Sequence, residues 1–109
     1  MANTETLTTS GAFGQIDSTG QIGTITVKGG KSVDVSIDYD TSTAFVGTIL
    51  LERETLTGAS NVPEFQTVAT YTASVEEVAR SACTRRYRLN CTVDTSGTAE
   101  YELTAGNFL

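Results

Sequence analysis

The sequence predicts an all-β fold, a small antiparallel β-sandwich of six or seven strands with one short connecting helix. Three observations support this fold class: apolar and polar residues alternate in several segments, threonine is abundant, and glycine-containing turns separate the segments. Alternation with a period of two is what a sheet with one buried side and one solvent-facing side requires. Threonine is β-branched and favours the pleated surface of a strand.

The chain of 109 residues has the length of one domain. Residues 1–11 are polar and too poor in apolar side chains to join a core, so we expect them to form an extended N-terminal arm. Residues 12–109 are expected to form a single β-sandwich domain. Its first strand is a weak one over residues 13–16.

Residues 32–39 alternate strictly and place four side chains on one face: Val33, Val35, Ile37 and Tyr39. Two glycines precede this segment. A three-residue loop at residues 28–30 pairs Ile25 with Val33, whereas a two-residue Gly-Gly turn would pair Ile25 with Asp34. Since directly paired residues share a face, the sequence favours a bulged hairpin at residues 28–30.

The middle of the chain predicts two further strands and the helix. Residues 44–53 are apolar on both faces, which is typical of a central strand, and residues 65–73 predict a further strand. The polar loop at residues 54–64 between them contains Pro63, the only proline. Residues 75–81 are the only candidate helix, and we interpret its two glutamates as a pair at the helix start: Glu76 and Glu77.

Residues 85–93 and 99–103 alternate again and predict a second bulged hairpin. A three-residue loop at residues 95–97 places Gly97 at the left-handed position of such a hairpin. The resulting pairs are all apolar: Val93 with Ala99, Cys91 with Tyr101, and Leu89 with Leu103.

The composition favours a structural or binding protein over an enzyme. A net charge of -6 repels phosphate backbones, so nucleic acid is not an expected partner. Histidine is absent, and no phosphate-binding loop or nucleophile motif occurs. No signal-peptide pattern or stretch of about 20 apolar residues is found, so no membrane contact is expected. We expect no catalytic residues, no cofactor and no metal.

Two residue groups have the composition of a metal site or a disulfide. Asp38 and Asp40, with Asp34 nearby, form an acidic cluster, but the glycine and closing glutamate of a calcium loop are absent. We interpret this cluster as a solvated strand end. Cys83 and Cys91 would lie roughly 26 Å apart on one extended strand, which exceeds disulfide reach, although a bend between them could still join them.

Basic residues are concentrated in one short segment of this acidic chain. Four of the seven fall there: Arg80, Arg85, Arg86 and Arg88. Arg86 and Arg88 share the outward face of one predicted strand, where they could pair with Glu100 and Glu102 or dock on an acidic neighbour. Together with the two chain ends, they give the predicted interface residues: Thr4, Leu7, Arg85, Arg86, Arg88, Phe108 and Leu109.

Residues 45–103 contain a series of short motifs. They read Phe45-Val-Gly-Thr-Ile-Leu-Leu-Glu-Arg53, Phe65-Gln-Thr-Val-Ala-Thr-Tyr71-Thr, Tyr87-Arg-Leu-Asn-Cys91, Thr95-Ser-Gly-Thr98 and Tyr101-Glu-Leu103. This series resembles small virion proteins of tailed bacteriophages. In those, a strand ending Leu-Glu-Arg precedes a Ser/Asp-Gly-rich turn, a Trp/Phe-x-x-Val strand and a closing Tyr-Arg-Leu…Ser-Gly-Thr hairpin. Here Phe65 stands where Trp is common, and the turn lacks the usual Asp-Gly.

The resemblance implies a virion structural protein, assembled in the host cytoplasm. Capsid decoration, in which the protein cements the outside of the head shell, is the first expectation, and a head–tail adaptor or fibre-attachment protein is the alternative. The implied partners are the major capsid protein, other virion subunits and further copies of the chain. A carbohydrate-binding module is a more remote alternative, because the aromatic residues it would use mostly point inward: Tyr39, Tyr71, Tyr87 and Tyr101.

Overall fold

The computed structural model describes residues 3–55 and 64–107, and this part of the chain contains nine strands and no helix. In chain order the strands are β1 (Thr4–Leu7), β2 (Gly11–Ile16), β3 (Gly20–Val27), β4 (Lys31–Asp38), β5 (Val46–Thr55), β6 (Glu64–Tyr71), β7 (Val75–Ser81), β8 (Arg85–Ser96) and β9 (Ala99–Asn107). The prediction of an all-β fold is confirmed. Within the described ranges, no helix has the length and hydropathy needed to cross a membrane.

The strands form two antiparallel sheets. The five-stranded sheet has the order β1-β2-β9-β4-β7, and the four-stranded sheet has the order β3-β8-β5-β6. Inward apolar residues of both sheets contribute to one hydrophobic core. The smallest dimension of the molecule, 21 Å, fits two sheets packed about 10 Å apart with their outer side chains.

The core follows the alternation seen in the sequence. Val33, Val35 and Leu103 are fully buried on the five-stranded sheet, and Ile49 and Leu89 are fully buried on the four-stranded sheet. The prediction that the tyrosines point inward is also confirmed, since all four are buried: Tyr39, Tyr71, Tyr87 and Tyr101.

Two predicted strands and the central strand are confirmed. The weak segment near residue 13 forms β2, and the segment after residue 64 forms β6. β5 lies between β8 and β6 and is hydrogen-bonded on both edges, as the apolar character of residues 44–53 predicted.

The two predicted hairpins are wrong, although their turns lie where the sequence placed them. Gly30 and Gly97 both adopt positive φ, at 82° and 81°. However, β3 and β4 belong to different sheets, and so do β8 and β9. Each turn therefore carries the chain across the core instead of folding it back within one sheet. Alternation does not distinguish a hairpin within one sheet from a connection between two facing sheets. In both arrangements the apolar residues of the two strands point to the same core.

The predicted helix over residues 75–81 is also wrong, because this segment forms strand β7. It pairs with β4 from Ile37↔Val75 to Lys31↔Ser81. Val75, Ala79 and Ser81 are at least partly buried on the inward side, whereas Glu77 on the same side is exposed. Pairing with β4 provides backbone hydrogen bonds along seven residues on one edge of the strand, whereas an isolated helix of two turns is only marginally stable in water. Glu76 and Glu77 accordingly lie on a strand.

The N-terminal segment is held by the chain itself from residue 3 onward. β1 pairs with β2 over four residues, although all four of its side chains are exposed. The Asn3 side chain accepts hydrogen bonds from the backbone N–H groups of Asp17 and Ser18. The Glu5 carboxylate accepts one from the N–H of Gly23, which has positive φ at a bulge in β3. These contacts fasten β1 to both sheets.

Candidate interface on the four-stranded sheet

The outer face of the four-stranded sheet carries a cluster of charged and aromatic side chains near the start of β8. We call these five residues the arginine cluster: Glu52, Glu54, Phe65, Arg86 and Arg88. Strand alternation places them on this face, because the intervening residues Leu51, Tyr87 and Leu89 point into the core.

Arg88 makes the central contacts of the arginine cluster. Its Nε donates a hydrogen bond to Glu52 Oε1 at 2.7 Å, and its guanidinium carbon lies 3.8 Å from the centre of the Phe65 ring. The Asn90 amide donates to the other oxygen of Glu52 at 3.1 Å. Glu52 is only 7% exposed, so its charge depends on these partners. The stack on Phe65 adds a cation–π contact.

Arg86 forms the second ion pair of the cluster. Its Nε and Nη2 both donate to Glu54 Oε2, the former at 2.9 Å. The hydrogen bond and charge of Arg86 lower the pKa of the Glu54 carboxyl, against the opposing effect of burial. Glu54 is therefore ionised at neutral pH. The Arg86 side chain remains 49% exposed, so about half of its surface can contact another molecule.

The predicted pairing of Arg86 and Arg88 with Glu100 and Glu102 is wrong. Those two glutamates lie on β9, which belongs to the other sheet. The carboxylates that the arginines bind come instead from β5, which is the hydrogen-bonded neighbour of β8. The error follows directly from the hairpin that the sequence predicted for residues 95–97.

The structure places Arg85 on the opposite side of β8. It is paired in register with the fully buried Val27 and therefore faces the space between the sheets. Its Nη1 atom is buried and has no hydrogen-bond partner within residues 3–55 and 64–107. Arg85 consequently does not share a surface with Arg86.

The two predicted interface residues of the arm are also separated from the cluster. Leu7 is exposed and lines a depression of about 290 Å³ that Thr26 also borders. Thr26 stands directly opposite Arg86, so only strand β3 separates Leu7 from the cluster. Thr4 lies near the other end of β1, where its hydroxyl accepts a hydrogen bond from the N–H of Gln15. The last two predicted interface residues lie outside the described residues: Phe108 and Leu109.

Sequence reasoning missed the acidic and aromatic members of the cluster. A usable signal existed, because Glu52 and Glu54 are two residues apart on one strand and Arg86 and Arg88 are two residues apart on another. Equal spacing of opposite charges on two strands is compatible with two cross-strand ion pairs on one face. That signal points to a partner only once β5 and β8 are known to be neighbours.

The acidic cluster and the two cysteines lie apart from the arginine cluster. Asp34 and Asp38 lie exposed on the outer face of β4, and Asp40 is exposed just beyond it. Among the described residues, no three His, Cys, Asp or Glu side chains are placed to hold a metal ion. Cys83 is an exposed free thiol and Cys91 a buried one.

Apolar side chains extend the face beyond the arginine cluster. Leu50 is half-buried opposite Asn90, while Val68 and Val93 are exposed on neighbouring strands. The face thus combines two internally neutralised ion pairs with aromatic and aliphatic surface, a composition suited to protein contact. Comparisons of the chain with protein-family models, with curated proteins and with solved structures found no match.

Proposed function

We propose that this chain is a structural protein of a tailed-bacteriophage virion and that it decorates the outside of the head shell. The arginine cluster is the observation that carries this proposal, because it joins three of the motifs that resemble such proteins. Glu52 comes from the Leu-Glu-Arg motif, Phe65 from the Phe-x-x-Val motif and Arg88 from the Tyr-Arg-Leu motif. Motif residues far apart in the chain therefore meet at one surface.

The chemistry of this surface supports adhesion to another protein. Arginine and aromatic residues are enriched at the centres of protein interfaces. Arg88 and Phe65 already hold each other in place, so little side-chain entropy remains to be lost on binding. Because each arginine is paired with its own glutamate, covering the face leaves no charge buried without a partner.

Decoration would stabilise a shell through this surface. A protein that binds the assembled shell, but not its separated subunits, shifts the equilibrium toward the shell. A copy that touches several shell subunits at once gains further from the high effective concentration of each additional contact. The partner is then the major capsid protein, contacted on its outer surface.

A matched pair of substitutions tests the proposal on shells that lack the protein. Thr67 is exposed on β6 directly opposite Glu52, so Thr67→Arg places a long side chain on the face without removing a contact. Thr19 is also exposed, in the turn after β2, which makes Thr19→Arg the control. We expect the wild type and Thr19→Arg to occupy the shells and raise their disassembly temperature, and Thr67→Arg to bind at least about tenfold more weakly.

Two results would contradict the proposed decoration or its contact surface. If the wild type neither occupies the shells nor raises their disassembly temperature, decoration is wrong. If Thr67→Arg binds as well as Thr19→Arg, the arginine cluster is not the contact surface. Binding confined to one vertex of the particle, instead of the whole shell surface, would replace decoration by the head–tail adaptor or fibre-attachment role.

A further inference from the structure

Charged side chains are segregated between the two ends of the molecule. Successive strands run in opposite directions, so each connecting loop lies at one of two ends. One end, which we call the basic end, holds six of the seven Lys and Arg residues: Lys28, Lys31, Arg53, Arg80, Arg85 and Arg86. Two carboxylates accompany them, and one of these, Glu54, is bound to Arg86.

The opposite end, which we call the acidic end, has the reverse composition. Six carboxylates lie at or next to the strand termini there: Asp17, Asp38, Asp40, Glu76, Asp94 and Glu100. All seven Lys and Arg residues of the chain lie elsewhere, so no cation within the described residues neutralises this end. By these counts the basic end carries +4 (six cations, two carboxylates) and the acidic end −6, and the residues between them supply the other −4 of the net charge of -6.

Hydrogen bonds between loops give each end a defined surface. At the basic end, the N–H of Gly30 donates to the carbonyl of Ser81 at 2.8 Å, and the N–H of Gly29 donates to the Thr84 hydroxyl. These bonds connect the β3–β4 turn to the β7–β8 turn beside it. The loops that carry these cations are thus held together at one end of the molecule, although Arg85 itself faces the space between the sheets.

The loops of the acidic end are connected in the same way. The N–H of Thr98 donates to the carbonyl of Thr43 at 2.9 Å, and the N–H of Tyr39 donates to the Ser74 hydroxyl at 2.9 Å. These bonds join the β8–β9, β4–β5 and β6–β7 connections. The carboxylates consequently stand on a fixed surface that faces away from the basic end.

We propose that copies of this protein bind one another head to tail, with the basic end of one molecule against the acidic end of the next. Charge complementarity identifies the partner as a second copy, because the chain carries both halves of the contact. Contact between like ends would instead bring charges of the same sign together, which disfavours a two-fold arrangement through either end.

Head-to-tail contact has consequences that differ from those of a closed dimer. Each added molecule leaves one free end of each kind, so copies form a row, or a ring if the rotation between them closes. The contact weakens as salt screens the charges, since the Debye length falls from about 30 Å at 0.01 M to about 3 Å at 1 M. The inference can be tested apart from the proposed virion role, because the variants below leave every residue of the arginine cluster unchanged and the measurement needs no shell.

Two variants, each damaged at one end, test the proposal. Lys28→Glu/Arg53→Glu changes exposed residues of the basic end, and Asp40→Lys/Glu100→Lys changes exposed residues of the acidic end. We expect the wild type to form species larger than a dimer at about 0.02 M salt and to be monomeric at about 0.5 M. Each variant alone is expected to be monomeric. Their equimolar mixture is expected to form a dimer and nothing larger, since one intact end of each kind remains.

The control is Asp34→Lys/Glu102→Lys, which alters net charge as much as the acidic-end variant but at mid-height on the outer face of β4 and β9. It should associate as the wild type does in sedimentation-velocity runs. A wild type that stays monomeric at low salt overturns the proposal. So does association that survives in either single-end variant, or a mixture that yields no dimer. Circular dichroism and thermal unfolding of every variant verify that loss of association is not loss of folding.

Discussion

Arg88 shows how one side chain can belong to both the stability and the surface chemistry of this protein. Its guanidinium stacks on Phe65 with one face and binds Glu52 with its edge. Lysine cannot reproduce this arrangement, because its ammonium is a point charge without a planar face. The alternation of β8 predicted that Arg88 faces outward. Its partner Glu52 was not predicted, because the sequence predicted that β8 pairs with β9, whereas the structure pairs it with β5.

We expect Arg88→Ala to lower the free energy of unfolding by about 3 kcal/mol, because it leaves the buried carboxylate of Glu52 without its cation. Arg53→Ala, on the adjacent strand and exposed, should change it by less than about 0.5 kcal/mol. Chemical denaturation at neutral pH measures both.

The double variant Glu52→Gln/Arg88→Ala separates a direct interaction from general damage. If Glu52 and Arg88 interact directly, the double variant should lose at least about 1 kcal/mol less unfolding free energy than the sum of the losses in Glu52→Gln and Arg88→Ala. Equal losses for Arg88→Ala and Arg53→Ala would show that the ion pair does not stabilise the fold.

At the scale of elements, the chain specifies its turns more clearly than its strand partners. The turns at residues 28–30 and 95–97 and the strands beside them were predictable, because glycine and two-residue alternation are local signals. Which sheet each strand joins was not, since it depends on contacts between residues distant in the chain. The same limit applies to residues 75–81, where pairing with β4 determined a strand that local composition did not.

Gly30 and Gly97 have nearly equal φ, so comparing them tests how much the tight packing of the β8–β9 turn adds to the cost of substitution. A Cβ at Gly97 would meet the backbone of Ala44 and Thr43, whereas a Cβ at Gly30 would meet open space. Gly30→Ala should therefore cost about 1–2 kcal/mol, which is the cost of a left-handed alanine. Gly97→Ala should cost about 3 kcal/mol or more, because the β8–β9 turn must also move away from the β4–β5 connection.

Thermal and chemical unfolding of the two variants, measured side by side, give the comparison. Equal losses would mean that backbone conformation alone determines the cost. The tight contact between the two connections would then have no energetic weight.

At the scale of the whole molecule, the two outer faces handle charge in opposite ways. The four-stranded sheet pairs its outward carboxylates with arginines. The five-stranded sheet instead exposes five acidic side chains on one face: Asp34, Asp38, Glu76, Glu100 and Glu102. Asp38 and Glu100 stand directly opposite each other across β4 and β9. The net charge can be read from the composition alone, but the distribution of charge between the two faces can be known only from the strand order.

Like charges directly opposite on neighbouring strands destabilise a sheet. Glu100→Lys should therefore raise the free energy of unfolding by about 0.5–1 kcal/mol at low salt, because it turns a repulsive pair with Asp38 into an attractive one. Glu64→Lys makes the same change in net charge at the exposed start of β6, at the basic end, and should give no gain. Thermal unfolding between about 0.01 and 0.3 M salt should show the advantage of Glu100→Lys shrinking as screening removes the repulsion from the wild type. If both variants stabilised equally, net charge and not its placement would govern stability, and the segregation of charge would have no energetic consequence within the monomer.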